Sequence, residues 1–113
     1  MNQGAAAEAL AAHFLAERGL AIVGRNYRCR GGEIDIVARD GGTLVFVEVR
    51  MRRNRDFGGP AESITGRKRH RLRLAAQHYL ARFPKEPPCR FDAVLLDALR
   101  VDRIEWLRAI DID

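Results

Sequence analysis

The strongest constraint on the fold is a pair of β-prone segments, GEIDIVAR (32–39) and TLVFVEVRMR (43–52), separated by Asp40, Gly41 and Gly42. Apolar residues, many of them β-branched, alternate with polar ones along these segments, which is typical of strands. A short turn that contains glycine between two such segments indicates an antiparallel hairpin. The rest of the chain is therefore expected to fold around this hairpin.

The side-chain period of two determines which residues of the hairpin share a face. With Ala38 paired to Val45, Asp35 lies opposite Glu48. The face that carries these acids is expected to be covered by the first helix or by a substrate, and the opposite face is expected to be core. Glu33 and Arg50 join the two acids, whereas the apolar face consists of Ile34, Ile36, Ala38, Val45, Val47 and Val49.

The sequence on either side of the hairpin predicts two helices and a first strand. Apolar residues recur at helical spacing over residues 4–18, Gly19 suits the helix C-cap, and residues 20–27 are β-prone. Thr65 can cap a second helix that runs to about Arg82. The buried stripe of that helix is predicted to be Leu72, Ala75, Ala76, Tyr79 and Leu80.

Two further strands are predicted after the proline-rich stop PKEPP, in RFDAVLLDAL (90–99) and RIEWLRAI (103–110). The order helix, three strands, helix, two strands favours an α/β or α+β fold, with a mixed central sheet flanked by helices. A chain of 113 residues has the usual size of one domain, so residues 1–113 are predicted to form a single domain.

Basic residues are concentrated between Arg50 and Arg73, where only Asp56 and Glu62 oppose them, and the formal net charge of the chain is +5. A block of this kind attracts a polyanion such as nucleic acid, although a basic helix face can also simply be solvated. No segment approaches the roughly 20 apolar residues that a membrane span requires. We therefore expect a cytoplasmic protein with a nucleic-acid partner and no membrane contact.

Two carboxylates directly opposite each other on paired strands repel, because their charges lie only about 5 Å apart. A divalent cation between Asp35 and Glu48 would remove that repulsion. Oxygen ligands without histidine or cysteine suit hard cations, so Mg²⁺ or Mn²⁺ is the expected cofactor. The alternative is an ordinary solvated strand face, in which the acids pair with Arg50 and Arg52.

Four segments together resemble the YraN family of small bacterial proteins over nearly the whole chain: GAAAEALAAHFLAERGLAIVGRNYRCRGGEIDIVARD (4–40), LVFVEVRMR (44–52), FGGPAESITGRKRHRLRLAAQHYL (57–80) and CRFDAVLLD (89–97). That family is placed in the PD-(D/E)xK nuclease superfamily and is similar to archaeal Holliday-junction resolvases. The resemblance implies a restriction-endonuclease-like αβββαβ core and a divalent-metal nuclease site. It also implies a homodimer, as in resolvases.

The resemblance places the superfamily's helix acid on Glu8, its strand aspartate on Asp35 and the acid of its ExK element on Glu48. Arg50 stands where the superfamily usually has lysine. Arginine keeps its proton at any working pH, so Arg50 can bind a phosphate oxygen but cannot act as a general base. Activation of water then falls to the metal or to a lysine from elsewhere, for which Lys68 is the best candidate.

These observations predict a metal-dependent endonuclease that hydrolyses DNA phosphodiesters, with branched or structured DNA implied by the resemblance. Its predicted catalytic residues are Glu8, Asp35, Glu48, Arg50 and Lys68, and the first three of these are the predicted metal ligands. Predicted nucleic-acid contacts are Arg52, Arg53, Arg55, Arg67, Lys68, Arg69 and Arg71. Two alternatives stay open: a nuclease fold that binds nucleic acid without cleaving it, and a protein that binds or processes RNA.

Overall fold

The computed structural model of the chain describes residues 2–52 and 64–112. The elements follow in the order α1 (Gln3–Glu17), β1 (Ala21–Cys29), β2 (Gly32–Asp40), β3 (Thr43–Met51), α2 (Gly66–Leu80), β4 (Cys89–Leu96) and β5 (Ile104–Leu107), with a 3₁₀ turn at Val101–Arg103 before the last strand. This order confirms the predicted helix, three strands, helix and two strands. None of the described helices is long and apolar enough to cross a membrane.

The strands form one five-stranded sheet in the order β1-β2-β3-β4-β5. Neighbouring strands are antiparallel except β3 and β4, which are parallel. A parallel pair needs a crossover connection, and α2 lies in that connection. The sheet is therefore mixed and flanked by helices, which confirms the predicted α+β class and the αβββαβ order of its core.

The hairpin register is confirmed, since Ala38 pairs with Val45 and the ladder runs out to Asp40 and Thr43 at the turn. Only Gly41 and Gly42 are left to make that turn. Gly41 has a φ of 62°, a left-handed conformation that glycine adopts without the steric cost of a Cβ atom. The turn chemistry read from the sequence therefore fixes the register.

Both faces of the sheet are core, with α1 packed on one and α2 on the other. The α1 side buries Ile36, Ala38, Val45 and Val47 with Phe14 and Leu15 of the helix. The α2 side buries Ile34, Val37, Leu44 and Phe46 with Leu72, Ala75, Ala76 and Tyr79. The predicted stripe of α2 is thus confirmed, with Leu80 half-buried against the same cluster.

The prediction that Ile34 shares a face with Ile36 is wrong, because Ile34 belongs to the α2-side core. The alternation of β2 therefore breaks at Asp35. A close approach of β2 to α2 accompanies the break: a Cβ atom on Gly32 would lie 2.7 Å from the backbone nitrogen of Ala75. Only glycine lets the start of β2 lie this close to the helix.

Candidate metal centre

Asp35 and Glu48 lie side by side where the hairpin ladder ends, because continuing its register by one pair places them opposite each other. The two carboxyl groups interact, since each shifts the pKa of the other. Asp35 Oδ2 also accepts a hydrogen bond of 2.8 Å from the backbone N–H of Val49, which fixes that carboxyl against β3. The side chain of Glu48 is only 12% exposed. The predicted meeting of these two acids is thus present in the structure.

The environment disfavours ionisation of both acids. Burial, followed by the charge of Asp35, raises the pKa of Glu48 to about 8. Burial likewise raises the pKa of Asp35 to about 6, against the opposing effect of the Val49 hydrogen bond and with help from the charges of Glu8 and Glu33. Two carboxyls in this arrangement hold a proton between them near neutral pH. A positive charge beside the pair would favour its full ionisation near neutral pH.

Lys68 supplies part of that charge. Its Nζ lies 3.7 Å from Glu48 Oε2, with 37% of the lysine side chain exposed. Thr65 caps α2 through a hydrogen bond from the backbone N–H of Lys68, so the lysine sits in the first turn, facing the hairpin. Lys68 lowers the pKa of Glu48, but burial and Asp35 together outweigh it.

Glu8 is buried on α1 and lines the same cavity as Asp35. Its Oε1 accepts hydrogen bonds from Arg25 Nε at 3.1 Å and from Asn26 Nδ2 at 2.8 Å. Asn26 has a φ of 57°, a conformation that asparagine tolerates better than most residues. Glu8 therefore acts on Asp35 through its charge, while its carboxylate is held by β1.

The donor set fits a cation that keeps most of its water. Within residues 2–52 and 64–112, no three His, Cys, Asp or Glu side chains come together closely enough to hold a metal ion. Mg²⁺ is commonly held by only one or two carboxylates, together with water and substrate phosphates. Asp35 and Glu48 match that pattern, whereas a ligand role for Glu8 requires it to leave Arg25 or Asn26 and stays a prediction.

Two clefts meet at the acid pair. The α1-side cleft, of about 510 Å³, contains Asp35 and Arg50 together with Glu8, Arg25, Asn26, Arg28 and the first residues of α1. The α2-side cleft, of about 270 Å³, contains Glu48 and Lys68 together with Thr65, Arg67 and Arg71. Glu33 lines both clefts and contacts Arg28 Nε at 3.1 Å and Arg71 at 3.9 Å. The acids therefore lie between two clefts that each contain three basic side chains.

The predicted nucleic-acid contacts separate into different groups. Arg67 and Arg71 are exposed and line the α2-side cleft beside Lys68. Arg69 instead donates to the backbone oxygens of Ile64 and Asp111, so it ties α2 to the C-terminal segment. Arg53 and Arg55 lie outside the described residues.

Arg52 does not belong to the exposed basic surface. Its side chain is only 6% exposed and its guanidinium is 2.9 Å from Glu105 on β5. A buried arginine paired in this way is not free to contact a phosphate, which corrects the role predicted from the sequence. The cause is a strand far along the chain, since β4 pairs with the end of β3 and β5, which carries Glu105, pairs with β4.

Arg25 and Asn26 contact Glu8, and Arg28 contacts Glu33. The sequence predicts no role for four residues of the clefts: Arg25, Asn26, Arg28 and Glu33. The hairpin register did place Glu33 on the acidic face. The only sequence signal for the three β1 residues is that they are polar in an otherwise apolar strand. Their function depends on where β1 packs, which local pattern does not specify.

The fold and the acid pair define an α+β protein with a candidate hard-cation site between two clefts that contain arginine side chains. Residues 7–96 match the sequence model of a family described as "Uncharacterised protein family UPF0102". A UPF0102 protein of Cupriavidus taiwanensis is 58% identical over 113 residues, which cover 98% of this chain and 84% of that protein. One from Methylobacillus flagellatus is 54% identical over 102 residues, covering 90% and 89% of the two chains.

A third relative, from Nitrosomonas europaea, is 52% identical over 107 residues, covering 95% of this chain and 91% of that protein. The chain belongs to the UPF0102 family. The resemblance to the YraN family is thereby confirmed. The matched segment includes every candidate catalytic residue, from Glu8 to Lys68.

Proposed function

We propose that this protein is a metal-dependent endonuclease that hydrolyses phosphodiester bonds of branched or otherwise structured DNA. The observation that carries the proposal is the Asp35–Glu48 pair. Its two half-buried carboxyls resist ionisation because of burial and nearby like charge, between clefts that contain arginine and lysine side chains. A pair that only served the fold would be better replaced by neutral residues, because buried like charges destabilise a protein.

Asp35 and Glu48 would hold Mg²⁺ or Mn²⁺. When bound, such an ion activates water and neutralises charge on the phosphate undergoing attack. Asp35 is held in place by the N–H of Val49, and Glu48 by its strand and by Lys68. The carboxylates are thus preorganised on adjacent strands, where a bound phosphate can approach from either cleft.

Lys68 is the candidate proton-transfer group. It approaches the acid pair from α2, whereas Arg50 lies in the α1-side cleft, where its side chain forms no hydrogen bond or ion pair with residues 2–52 or 64–112. Lysine can release and regain a proton, which arginine cannot do at a working pH. Arg50 is suited instead to hold a phosphate oxygen through its guanidinium group.

Arg67 and Arg71 would bind phosphates of the DNA backbone on the α2 side of the site. Phosphate contacts carry no base information, so recognition by shape rather than by sequence is expected. The interaction should weaken steeply as the salt concentration rises.

The test is cleavage of labelled four-way, flapped and linear DNA with Mg²⁺ or Mn²⁺, in parallel with RNA of the same shapes. We expect the wild type to cut DNA and the Glu48→Gln variant to lose the activity while keeping its fold. Glu17→Gln is the matched control, because Glu17 lies on α1 with 64% of its side chain exposed.

The competing function is a nucleic-acid-binding module that has lost catalysis, which the arginine at position 50 favours. The contact between Lys68 and Glu48 favours the enzyme, because it restores an amine beside the acids. Tight DNA binding without cleavage under any metal condition would support the module. Cleavage of RNA alone would support an RNA-processing enzyme.

A further inference from the structure

The β1 strand is one edge of the sheet. Three of its polar residues, Arg25, Asn26 and Arg28, line the α1-side cleft and also a third cleft on the α2 side of the sheet. The two clefts therefore meet around the β1 edge. A flexible chain lying in one can continue into the other along these three side chains.

This third cleft, the β1-edge cleft, measures about 300 Å³ and is lined by Val23, Gly24, Tyr27, Val37, Tyr79 and Arg82 in addition to the three shared residues. Its wall is aromatic. The rings of Tyr27 and Tyr79 meet edge to face with centroids 5.1 Å apart. The Tyr27 hydroxyl is hydrogen-bonded to Nδ1 of His78, which fixes the orientation of the ring.

Arg82 extends this wall with a planar cation. Its Cζ lies 4.0 Å from the ring centroid of Tyr79 and 5.3 Å from that of Tyr27. Arg25 is paired with Glu8 and Arg28 with Glu33, whereas Arg82 forms no ion pair within residues 2–52 and 64–112. The exposed guanidinium of Arg82 is thus available for both charge and stacking.

The combination of arginines with flat aromatic surfaces matches single-stranded nucleic acid. A groove for a duplex needs no aromatic surface for stacking, because the base faces of a duplex are already stacked on one another. A single strand exposes base faces, which stack on aromatic rings and on arginine planes while cations follow the backbone. A small-molecule pocket would be more enclosed and would have less basic surface on its rim.

We propose that the β1-edge cleft binds an unpaired DNA strand, which runs from the acid pair past Arg25 and Arg28 and stacks a base against Arg82 and Tyr27. A consequence for cleavage rests on the proposed function: the preferred substrate carries a single-stranded segment beside the bond to be cut. A flap, a fork or a gapped junction meets this requirement, and a fully paired duplex does not.

The experiment measures binding of the whole chain by fluorescence anisotropy in EDTA, which makes it independent of cleavage. The probes are a labelled DNA duplex with a single-stranded thymidine extension and the same duplex with a blunt end. The variants are Arg82→Gln, Arg82→Lys and, as the matched control, Arg39→Gln. Arg39 is exposed on β2 and lines none of the three clefts.

We expect the wild type to bind the extended duplex more tightly than the blunt one. Arg82→Gln should lower affinity for the extended duplex by about fivefold or more, the lower end for losing one stacked base, with little change for the blunt duplex. Arg82→Lys should lose most of the same preference, since it keeps the charge but not the plane. Arg39→Gln should affect both probes equally.

Equal wild-type affinity for the two probes would overturn the proposal even if the protein cuts DNA. An Arg82→Lys variant with full wild-type preference would overturn the stacking contact. A retained preference for the extended duplex by a protein without nuclease activity would support the cleft and reject the proposed function. The experiment therefore tests the single-strand cleft independently of the nuclease activity.

Discussion

Replacing Glu48 by glutamine should stabilise the metal-free protein at pH 8. The pKa of Glu48 is raised from 4.5 to about 8, mainly by burial and by Asp35. A group whose pKa is raised on folding stabilises the protein most below its unfolded pKa, and that contribution is lost as pH rises through the folded pKa. The wild type should therefore lose stability between about pH 4.5 and pH 8.

The size of the effect follows from the same values. Each tenfold change in an acid dissociation constant is worth about 1.4 kcal/mol, so the difference between 4.5 and about 8 sets an upper bound of about 5 kcal/mol. The substitution recovers only part of this, because the glutamine amide is still buried and the ion pair with Lys68 is lost. We expect a gain of about 2 kcal/mol in the free energy of unfolding at pH 8.

The assay is urea unfolding followed by circular dichroism, in EDTA, at pH 5 and at pH 8. Glu17→Gln serves as the control, because its exposed carboxylate makes only a surface ion pair with His13, whose loss should change the pH dependence little. The reasoning would be refuted if Glu48→Gln lost as much stability between the two pH values as the wild type does. It would also be refuted if the variant were less stable than the wild type at pH 8.

Three further outcomes are expected. Lys68→Met should lower the rate of cleavage at saturating DNA by about 10²-fold or more, measured in single-turnover reactions, with DNA affinity nearly unchanged. A normal cleavage rate would mean that Lys68 only contacts a phosphate. Changing Arg67 and Arg71 to glutamine should weaken DNA binding and flatten its dependence on salt concentration, measured by anisotropy, and an unchanged slope would place the phosphate contacts elsewhere. Gly32→Ala should cost about 1–3 kcal/mol in urea unfolding, because its new methyl group meets the backbone of Ala75, whereas Gly42→Ala has open space and should cost much less.

Local sequence pattern was sufficient for the parts of the site that lie on one hairpin. The two glycines at the turn and the alternation of β2 and β3 predicted the register, and the register brought Asp35 to Glu48. The cap at Thr65 likewise predicted where α2 begins, and so where Lys68 lies on its first turn. These features depend on neighbours in sequence or on one adjacent strand.

Contacts between distant elements could not be read in the same way. Ile34 turns towards α2 beside the point where Gly32 packs against the backbone of that helix, and the alternation of β2 reveals neither contact. Arg52 looked like one more cation of a basic block, yet Glu105 on the last strand holds it in a buried pair. Asn26 became part of the site only because β1 lies beside α1, next to Glu8.

The proposed function depends above all on the capacity of Asp35 and Glu48 to bind a divalent cation together. Calorimetric titration of the protein with Mn²⁺ near neutral pH measures it directly, without substrate. We predict one site in the wild type, with protons released on binding because the raised pKa values leave the pair partly protonated. We further predict that Asp35→Asn and Glu48→Gln each abolish this binding while Glu17→Gln retains it. Undiminished Mn²⁺ binding by both site variants would contradict the assignment.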